Sequence, residues 1–470
     1  MSAMMTLSHA LKLIPGATLV GDGSTSIHRV HTDTRTIEPG DLFVALQGER
    51  FDANDMLHEA LAKGAAAVLC HAGLTANAYP AGLPRIEVNN SKLALAALAT
   101  GWRAQFDLPV IAVTGSNGKT TVTQMIASIL HAHAPDGAAL ATVGNFNNDI
   151  GVPLTLLRMR ATHRIAVVEL GMNHPGEIAV LAAMAQPTVA LVNNAQREHL
   201  EFMHTIEAVA RENGSVLSSL PETGTAVFPA DDDYAPLWHE LSAGRVVATF
   251  AGGDAGANCV VRSASWRDGA WQVVAGTPQG ELRYRLAIAG RHNVKNSLAA
   301  AACALAAGVP AITVARGLEA FVPVKGRCRA MQVRQGALDF TLVDDTYNAN
   351  PDSMRAAIDV LADLPVPRLL VMGDMGEVGE QGPAFHAEAG RYARDAGIEH
   401  VLALGDSSAH AVQEMPGARH FKDVANLNAA ALALAPAVAS VLVKGSRFMR
   451  MERVVEALSA RPAQEVAGHA

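Results

Sequence analysis

Lys119 stands between Gly118 and two threonines, Thr120 and Thr121, in the run "VIAVTGSNGKTTVTQMIASIL" from Val110 to Leu130. Apolar β-formers lead into a short Gly-rich turn, and a helical pattern follows. That order suits phosphate chemistry. Backbone N–H groups of Thr114, Gly115, Ser116, Asn117 and Gly118 can turn toward one point, and the following helix offers its N-terminus to the same anion. Lys119 would neutralise the outer phosphates, and the Thr120 hydroxyl, with Thr121 beside it, would sit on Mg²⁺. The strict spacing G-x-x-x-x-G-K-[ST] is not met: counting back from Gly118, the first glycine would fall at Val113, and the available one is Gly115. The loop is a variant, shorter between its glycines. A plain strand-to-helix turn with a solvated lysine is the competing reading, and G-K-T-T between a buried strand and a helix favours the phosphate.

Two further groups belong to the same chemistry. Glu169 ends "IAVVEL", and His199 lies in "NNAQREHLE" just past "TVALVNN". Ligands of open parallel sheets bind beyond the carboxyl ends of the strands, where these segments and the loop would converge. A carboxylate and an imidazole beside a triphosphate can hold the metal ions that a phosphoryl transfer needs. Taken singly, Glu169 could end a strand in a salt bridge and His199 could be structural; beside the loop, the pair points to function.

These groups need a scaffold, and the chain's 470 residues suggest about three domains at ~150 residues each. Residues 1–107 read as a small α/β unit, with a helix over "LSHALKLI" and strands near "IHRVHTDT", "GDLFVAL" and "AAAVLC". Residues 108–321 alternate strand and helix around "VIAVTG", "RIAVVELGM" and "TVALVNN", and residues 322–470 repeat that grammar with "LDFTLVDDT", "PRLLVMGD", "HVLALGD" and "ASVLVKGS". Such alternation means βαβ units and parallel sheets, an α/β fold. In "NANPDSMRAAI", Asn350 is a natural N-cap and Pro351 a first helical residue. The last ten residues, "RPAQEVAGHA", read as a loose tail.

Composition excludes other classes. A formal charge of −8 and no basic run argue against nucleic-acid binding, because little would drive counterion release. No apolar stretch of ~18 residues predicts a transmembrane helix, and "MSAMMTLSHALKLIPG" lacks the pattern of a secretion signal. Cys70, Cys259, Cys303 and Cys328 show no C-x-x-C pairing and read as buried thiols in a reducing compartment. A soluble, cytoplasmic protein without membrane insertion is expected, and nothing calls for more than a monomer.

The segments "VTGSNGKTT", "TVGNFNNDIGVPLTLL", "VVELGMNHPGEI", "NNAQREHLE", "AGRHNVKNSLAAAA", "LVDDTYNANPDSMRAAID", "VMGDMGEVGE" and "LVKGSRFMRMERVVEAL" resemble the Mur ligase family. The likeness runs in order along essentially the whole chain. Three of these segments, "GNFNNDIGVPLTLL", "DDTYNANPDSM" and "VKGSRFMRMERVV", resemble its dipeptide-adding branch. The resemblance implies three domains: an N-terminal UDP-binding unit, a central P-loop ATPase and a C-terminal Rossmann-like domain. It implies an ATP- and Mg²⁺-dependent ligase that joins D-alanyl-D-alanine to UDP-N-acetylmuramoyl-tripeptide through an acyl phosphate, yielding a peptidoglycan precursor. By the same resemblance, Lys119, Glu169, His199 and Arg327 are catalytic, and Thr120, Glu169 and His199 hold metal. Residues 114–121 with Asn293, Asn296, Arg327 and Asp345 bind ATP, and Thr34, Arg35, Asn145, Asn348 and Asn350 bind substrate. Two departures stand out. Asn213 occupies a position where several members carry a lysine, carbamylated in some, and an amide cannot form a carbamate. Ala53 and Asn54 replace the branch's usual Gly-His. A folylpolyglutamate-synthase-like ligase and a P-loop switch or motor NTPase are the rivals; the first should lack the N-terminal unit, the second should keep strict loop spacing.

Overall fold

The run Val110–Thr114 is buried at every residue and forms strand β1, inside a nine-stranded sheet. The computed structural model describes residues 3–460 except Arg50, Asp254, Gly336 and Ala337, so the tail expected at 461–470 lies outside the described residues. On either side of β1 run β2 (Ile165–Glu169) and β3 (Val189–Val192), both parallel to it. All three are apolar runs, interrupted only by Thr114 and Glu169 at the carboxyl ends of β1 and β2, as suits strands covered on both faces. Register then builds the site. Glu169 stands opposite Val113 and Val192 opposite Thr114, so the three segments leave the sheet along one carboxyl edge.

Beyond β3 the parallel order continues through Thr225–Pro229 and Val246–Ala251. At Cys259 the expected strand–helix alternation gives way to an antiparallel ribbon of Cys259–Arg267, Ala270–Thr277 and Gly280–Leu286. The ribbon's first turn is Asp268-Gly269, with φ of 51° and 71°. Two left-handed residues in a row match the right-handed twist of the flanking strands.

In the C-terminal part, β4 (Leu338–Asp345) lies beside β5 (Ser440–Lys444) in a six-stranded sheet that is parallel except for the edge strand Arg329–Gln335. Separate apolar clusters pack its two faces, which makes it doubly wound. The N-terminal part has a five-stranded sheet, in the order Thr18–Val20, Arg85–Val88, Ala67–His71, Asp41–Val44, Arg29–His31. Its core is continuous with one face of the central sheet, through Leu42, Leu95, Val110 and Val168. Buried Arg103 ties the two together by donating to the carbonyls of Ala185 and Gln186. The three-domain α/β architecture expected above is the one observed.

No helix among the described residues is long and apolar enough to cross a membrane. All four cysteines are free and buried, and burial pushes the Cys70 thiol up to about 12 and the Cys259 thiol up to about 11. A colorimetric thiol reagent at pH 8 is therefore expected to label the folded protein slowly and all four sites rapidly in denaturant. Fast labelling of the native protein would contradict this packing.

Candidate active site

Helix α1 (Lys119–His133) starts directly after Gly118, its N-cap at φ 83°, and has no side-chain cap. First-turn N–H groups left in this way, at the positive end of a helix, form an anion site. Only glycine fits at position 118, since a Cβ there would lie 2.7 Å from Asn193 Nδ2 and 2.8 Å from Asn296 Oδ1. The upstream N–H groups are already used. Gly115 N donates to Asn213 Oδ1 at 2.9 Å, Ser116 N to the Asn194 carbonyl at 3.1 Å, and Asn117 N to Asn194 Oδ1 at 2.9 Å. The short loop is thus braced from the end of β3 and from helix α2 (Ile206–Ser218). Thr114 and Gly115 consequently stay behind the loop, with the Thr114 hydroxyl donating to the Leu191 carbonyl at 2.8 Å. Asn213 also has its explanation: its buried amide holds the loop's first glycine.

A cavity of about 1300 Å³ opens at this edge. It is lined by residues 116–121, Asn145, Glu169, His199, Asn293, Asn296, Arg327, Asp345, Asn348 and Asn350, so most of the expected site residues meet in one place. Glu169 is 1% exposed. Its Oε1 accepts from Asn147 Nδ2 at 2.8 Å and Thr120 Oγ1 at 3.1 Å, while Oε2 has no partner. Burial raises its carboxyl pKa against the opposing pull of Arg327, Asn147 and Lys119. Lys119 Nζ donates to the carbonyls of Gly115 (2.6 Å) and Ser116 (3.0 Å) and to Glu198 Oε1 (2.9 Å). Glu198 Oε2 is also buried without a partner. His199 Nε2 lies 3.6 Å from Glu198 Oε1, and Nδ1 lies 2.7 Å from Glu377 Oε2.

Two orphaned carboxylate oxygens and a hydroxyl are hard donors of the kind Mg²⁺ takes. That ion is typically held by one or two carboxylates together with substrate phosphates. No cluster of three or more His, Cys, Asp or Glu side chains suited to a metal occurs among the described residues. The donor set therefore fits an ion shared with phosphate and not an all-protein cage.

The C-terminal part supplies the opposite wall. Asp344 and Asp345, at the end of β4, grip the connection that carries Arg327. Gly326 N donates to Asp344 Oδ2 at 2.9 Å, and Cys328 N to Asp345 Oδ1 at 3.1 Å. Arg327 lies over the Tyr347 ring, 3.9 Å to its centroid, and its Nη2 donates to Thr120 Oγ1 at 3.2 Å. The other Asp345 oxygen accepts from Lys444 Nζ at 2.6 Å, a pair set by the register of β4 against β5. Here Asp345 acts by placing Arg327 and Lys444. Helix α4 (Pro351–Ala362) has Asn350 as N-cap in a capping box with Ser353, and Asn350 Nδ2 donates to Asn117 Oδ1 at 3.0 Å. Farther out, Arg197 is clamped by Asp352 (2.6 Å) and Glu388 (2.8 Å).

Asn293 and Asn296, on helix α3 (Arg291–Ala306), extend the loop's amide network. Asn193 Nδ2 donates to Asn296 Oδ1 (3.0 Å), Asn296 Nδ2 to Asn293 Oδ1 (2.9 Å), and Asn293 Nδ2 to the Ala289 carbonyl (2.7 Å). Thr34 and Arg35 are not brought to the cavity. Thr34 is buried in the N-terminal part, and Arg35 is exposed and paired with Asp33. Asn54, in place of the branch's histidine, is buried and accepts from His71 N at 2.9 Å. Sequence reasoning did not single out Asn147, Glu198, Glu377 or Lys444. For Asn147 and Glu198 the signal was proximity, since each lies within two residues of a residue already chosen.

Fold and site together define a phosphate-loop protein whose cleft is shared between the central and C-terminal units. Three family descriptions match the chain: "Mur ligase family, catalytic domain" over residues 26–103, "Mur ligase middle domain" over 113–304, and "Mur ligase, glutamate ligase domain" over 329–447. The chain belongs to the Mur ligase family. It is 40% identical over 457 residues to the UDP-N-acetylmuramoyl-tripeptide–D-alanyl-D-alanine ligase of Escherichia coli, covering 97% of this chain and 98% of that protein. Among solved structures it is similar to MurF from Acinetobacter baumannii, with TM-score 0.89, 34% identity, and 97% and 99% of the two chains covered. It is also similar to MurF ligase from Thermotoga maritima in complex with ADP, with TM-score 0.80, 26% identity, and 92% and 97% covered.

Proposed function

We propose that this chain is an ATP-dependent ligase that joins D-alanyl-D-alanine to UDP-N-acetylmuramoyl-tripeptide, giving the pentapeptide precursor of peptidoglycan. One observation carries the reading: Glu169 and Arg327, from distant segments of a chain similar end to end to such ligases, both reach the Thr120 hydroxyl within hydrogen-bond distance. The ADP bound in the Thermotoga maritima relative supports ATP as the nucleotide. The N-terminal five-stranded sheet and the family match over residues 26–103 favour this reading over a folylpolyglutamate-synthase-like ligase. We assign residues 1–107 to the UDP end, with Thr34 and Arg35 as its contacts, 108–321 to ATP, and 322–470 to closure over both.

The chemistry follows from the leaving group. A carboxylate is a poor acyl donor, but once its oxygen attacks the γ-phosphorus and ADP departs, the acyl phosphate carries phosphate as a good leaving group. Such a transfer asks the protein mainly for in-line positioning and charge screening. The N–H groups of residues 118–121, Lys119 and Arg327 supply both. Lys119 reaches a phosphate by turning away from Glu198. A bound Mg²⁺ would screen the phosphates further, and Thr120, Glu169 and His199 would hold it. The dipeptide nitrogen then attacks the carbonyl carbon and phosphate leaves. An α-amino group with a pKa of ~8 is partly neutral near pH 7, so no strong base is required.

The test is phosphate release from ATP and Mg²⁺ with the two acceptors added singly and together, with product mass read in parallel. Phosphate that depends on both, and a product heavier by the dipeptide less water, supports the ligase; phosphate without a peptide product returns the case to a P-loop ATPase. Because Asn213 cannot be carbamylated, the rate is expected to be unchanged when bicarbonate and carbon dioxide are stripped from the assay. A rate restored by added bicarbonate would place a carbamate elsewhere.

A further inference from the structure

We infer that Glu377, on the C-terminal part, is a positioning residue for His199, so that the metal-and-phosphate end of the site is complete only when the two parts are seated together. The inference rests on the ligase reading above. Glu377 Oε2 lies 2.7 Å from His199 Nδ1, without the straight geometry of a hydrogen bond. The other ring nitrogen, Nε2, faces Glu198 Oε1 at 3.6 Å, and that same oxygen takes Lys119 Nζ at 2.9 Å. A carboxylate at Nδ1 selects the tautomer that leaves a lone pair on Nε2, on the side of Lys119 and the phosphate loop. This is the usual carboxylate partner behind a metal-binding histidine.

The backbone supports a built contact. His199 and Glu377 both take left-handed conformations, φ 50° and 57°, which cost energy in residues with a Cβ and persist where the surroundings impose them. The Glu377 loop is fixed independently of His199. Met375 N donates to His386 Nε2 at 2.9 Å, and Gly376 N to Ser446 Oγ at 2.6 Å. Ser446 in turn donates to the Ala349 carbonyl at 3.0 Å. The Arg197 clamp also joins the two parts, but the bonds that Asp352 and Glu388 accept across it come from Arg197 and not from His199. It is the natural control for seating alone.

The experiment is calorimetric titration of the full chain with ADP, in Mg²⁺ and in chelator, on the wild type, Glu377→Ala, Glu377→Gln and Glu388→Gln. The quantity read is the factor by which Mg²⁺ tightens ADP binding. Glu377→Ala is expected to reduce that factor about tenfold or more, the scale for losing such a partner. Glu377→Gln, whose amide oxygen can still face Nδ1, should recover most of it, and Glu388→Gln should leave it unchanged. Glu377 is 46% exposed at its side chain, so truncation spares the core, and matched circular dichroism spectra verify this. An unchanged factor in Glu377→Ala overturns the inference alone; a wild type whose ADP binding ignores Mg²⁺ overturns the ligase reading with it.

Discussion

Replacing Lys119 with methionine is expected to lower kcat about 10³-fold, or about 4 kcal/mol of transition-state stabilisation. The methionine keeps most of the side chain's length and apolar bulk and removes the charge that would meet the transferring phosphoryl group, together with its bonds to the Gly115 and Ser116 carbonyls and to Glu198. The same substitution should also destabilise the protein without nucleotide. Lys119 and Glu198 are a largely buried pair, 14% and 11% exposed, and one Glu198 oxygen already lacks a partner. Removing one partner of such a pair leaves an uncompensated charge at a cost of about 3 kcal/mol. The double variant Lys119→Met/Glu198→Gln separates the two roles. It should recover much of the lost thermal stability and none of the lost activity. Phosphate-release rates and melting curves on the three proteins decide it, and a single variant within tenfold of wild-type kcat would remove Lys119 from the phosphate site.

What was legible in the sequence is what local pattern encodes. Apolar runs marked β1 to β3, strand–helix alternation marked β4 and β5, Gly118-Lys119 marked the turn into helix α1, and Asn350-Pro351 marked a helix start that the capping box realises. Glu169 was found because a polar residue at the end of a buried strand must face the carboxyl edge. The ribbon after Cys259 departs from the strand–helix alternation expected over residues 108–321, and its local signals are the Asp268-Gly269 turn and the alternating polarity of the strands around it. Other features have no local signature. Nothing near Asp345 announces Lys444, since only the register of two strands brings them together. Glu377 looks like any exposed acid in a loop until the fold carries it to His199. Asn213 read as a missing lysine, and only the structure gave its amide a task, the N–H of Gly115. Residues chosen by strand-end position therefore converged, whereas those joined by strand register, by helix packing or by one domain seating against another are legible only in three dimensions.

Glu169→Gln should produce opposite effects on stability and activity. The carboxylate is 1% exposed, and burial raises its pKa despite nearby Arg327 and Lys119, so the fold without a bound cation disfavours its charged form. The sign follows from linkage. A raised carboxyl pKa means the folded state holds the proton longer than the unfolded state. Its contribution to stability therefore falls as pH rises from the unfolded value of ~4.3 through the folded one, and stays low above it. Glutamine is isosteric, keeps an oxygen for Asn147 Nδ2 and Thr120 Oγ1, and removes that burden. The variant without ligands should melt higher than wild type at neutral pH, with a flatter dependence on acidity. Activity should fall about 10²- to 10³-fold, the scale for losing one preorganised electrostatic group, and Mg²⁺ should tighten ADP binding less. A variant that melts lower and keeps its rate would identify Glu169 as a structural strand-end acid, with the cation held elsewhere in the cleft.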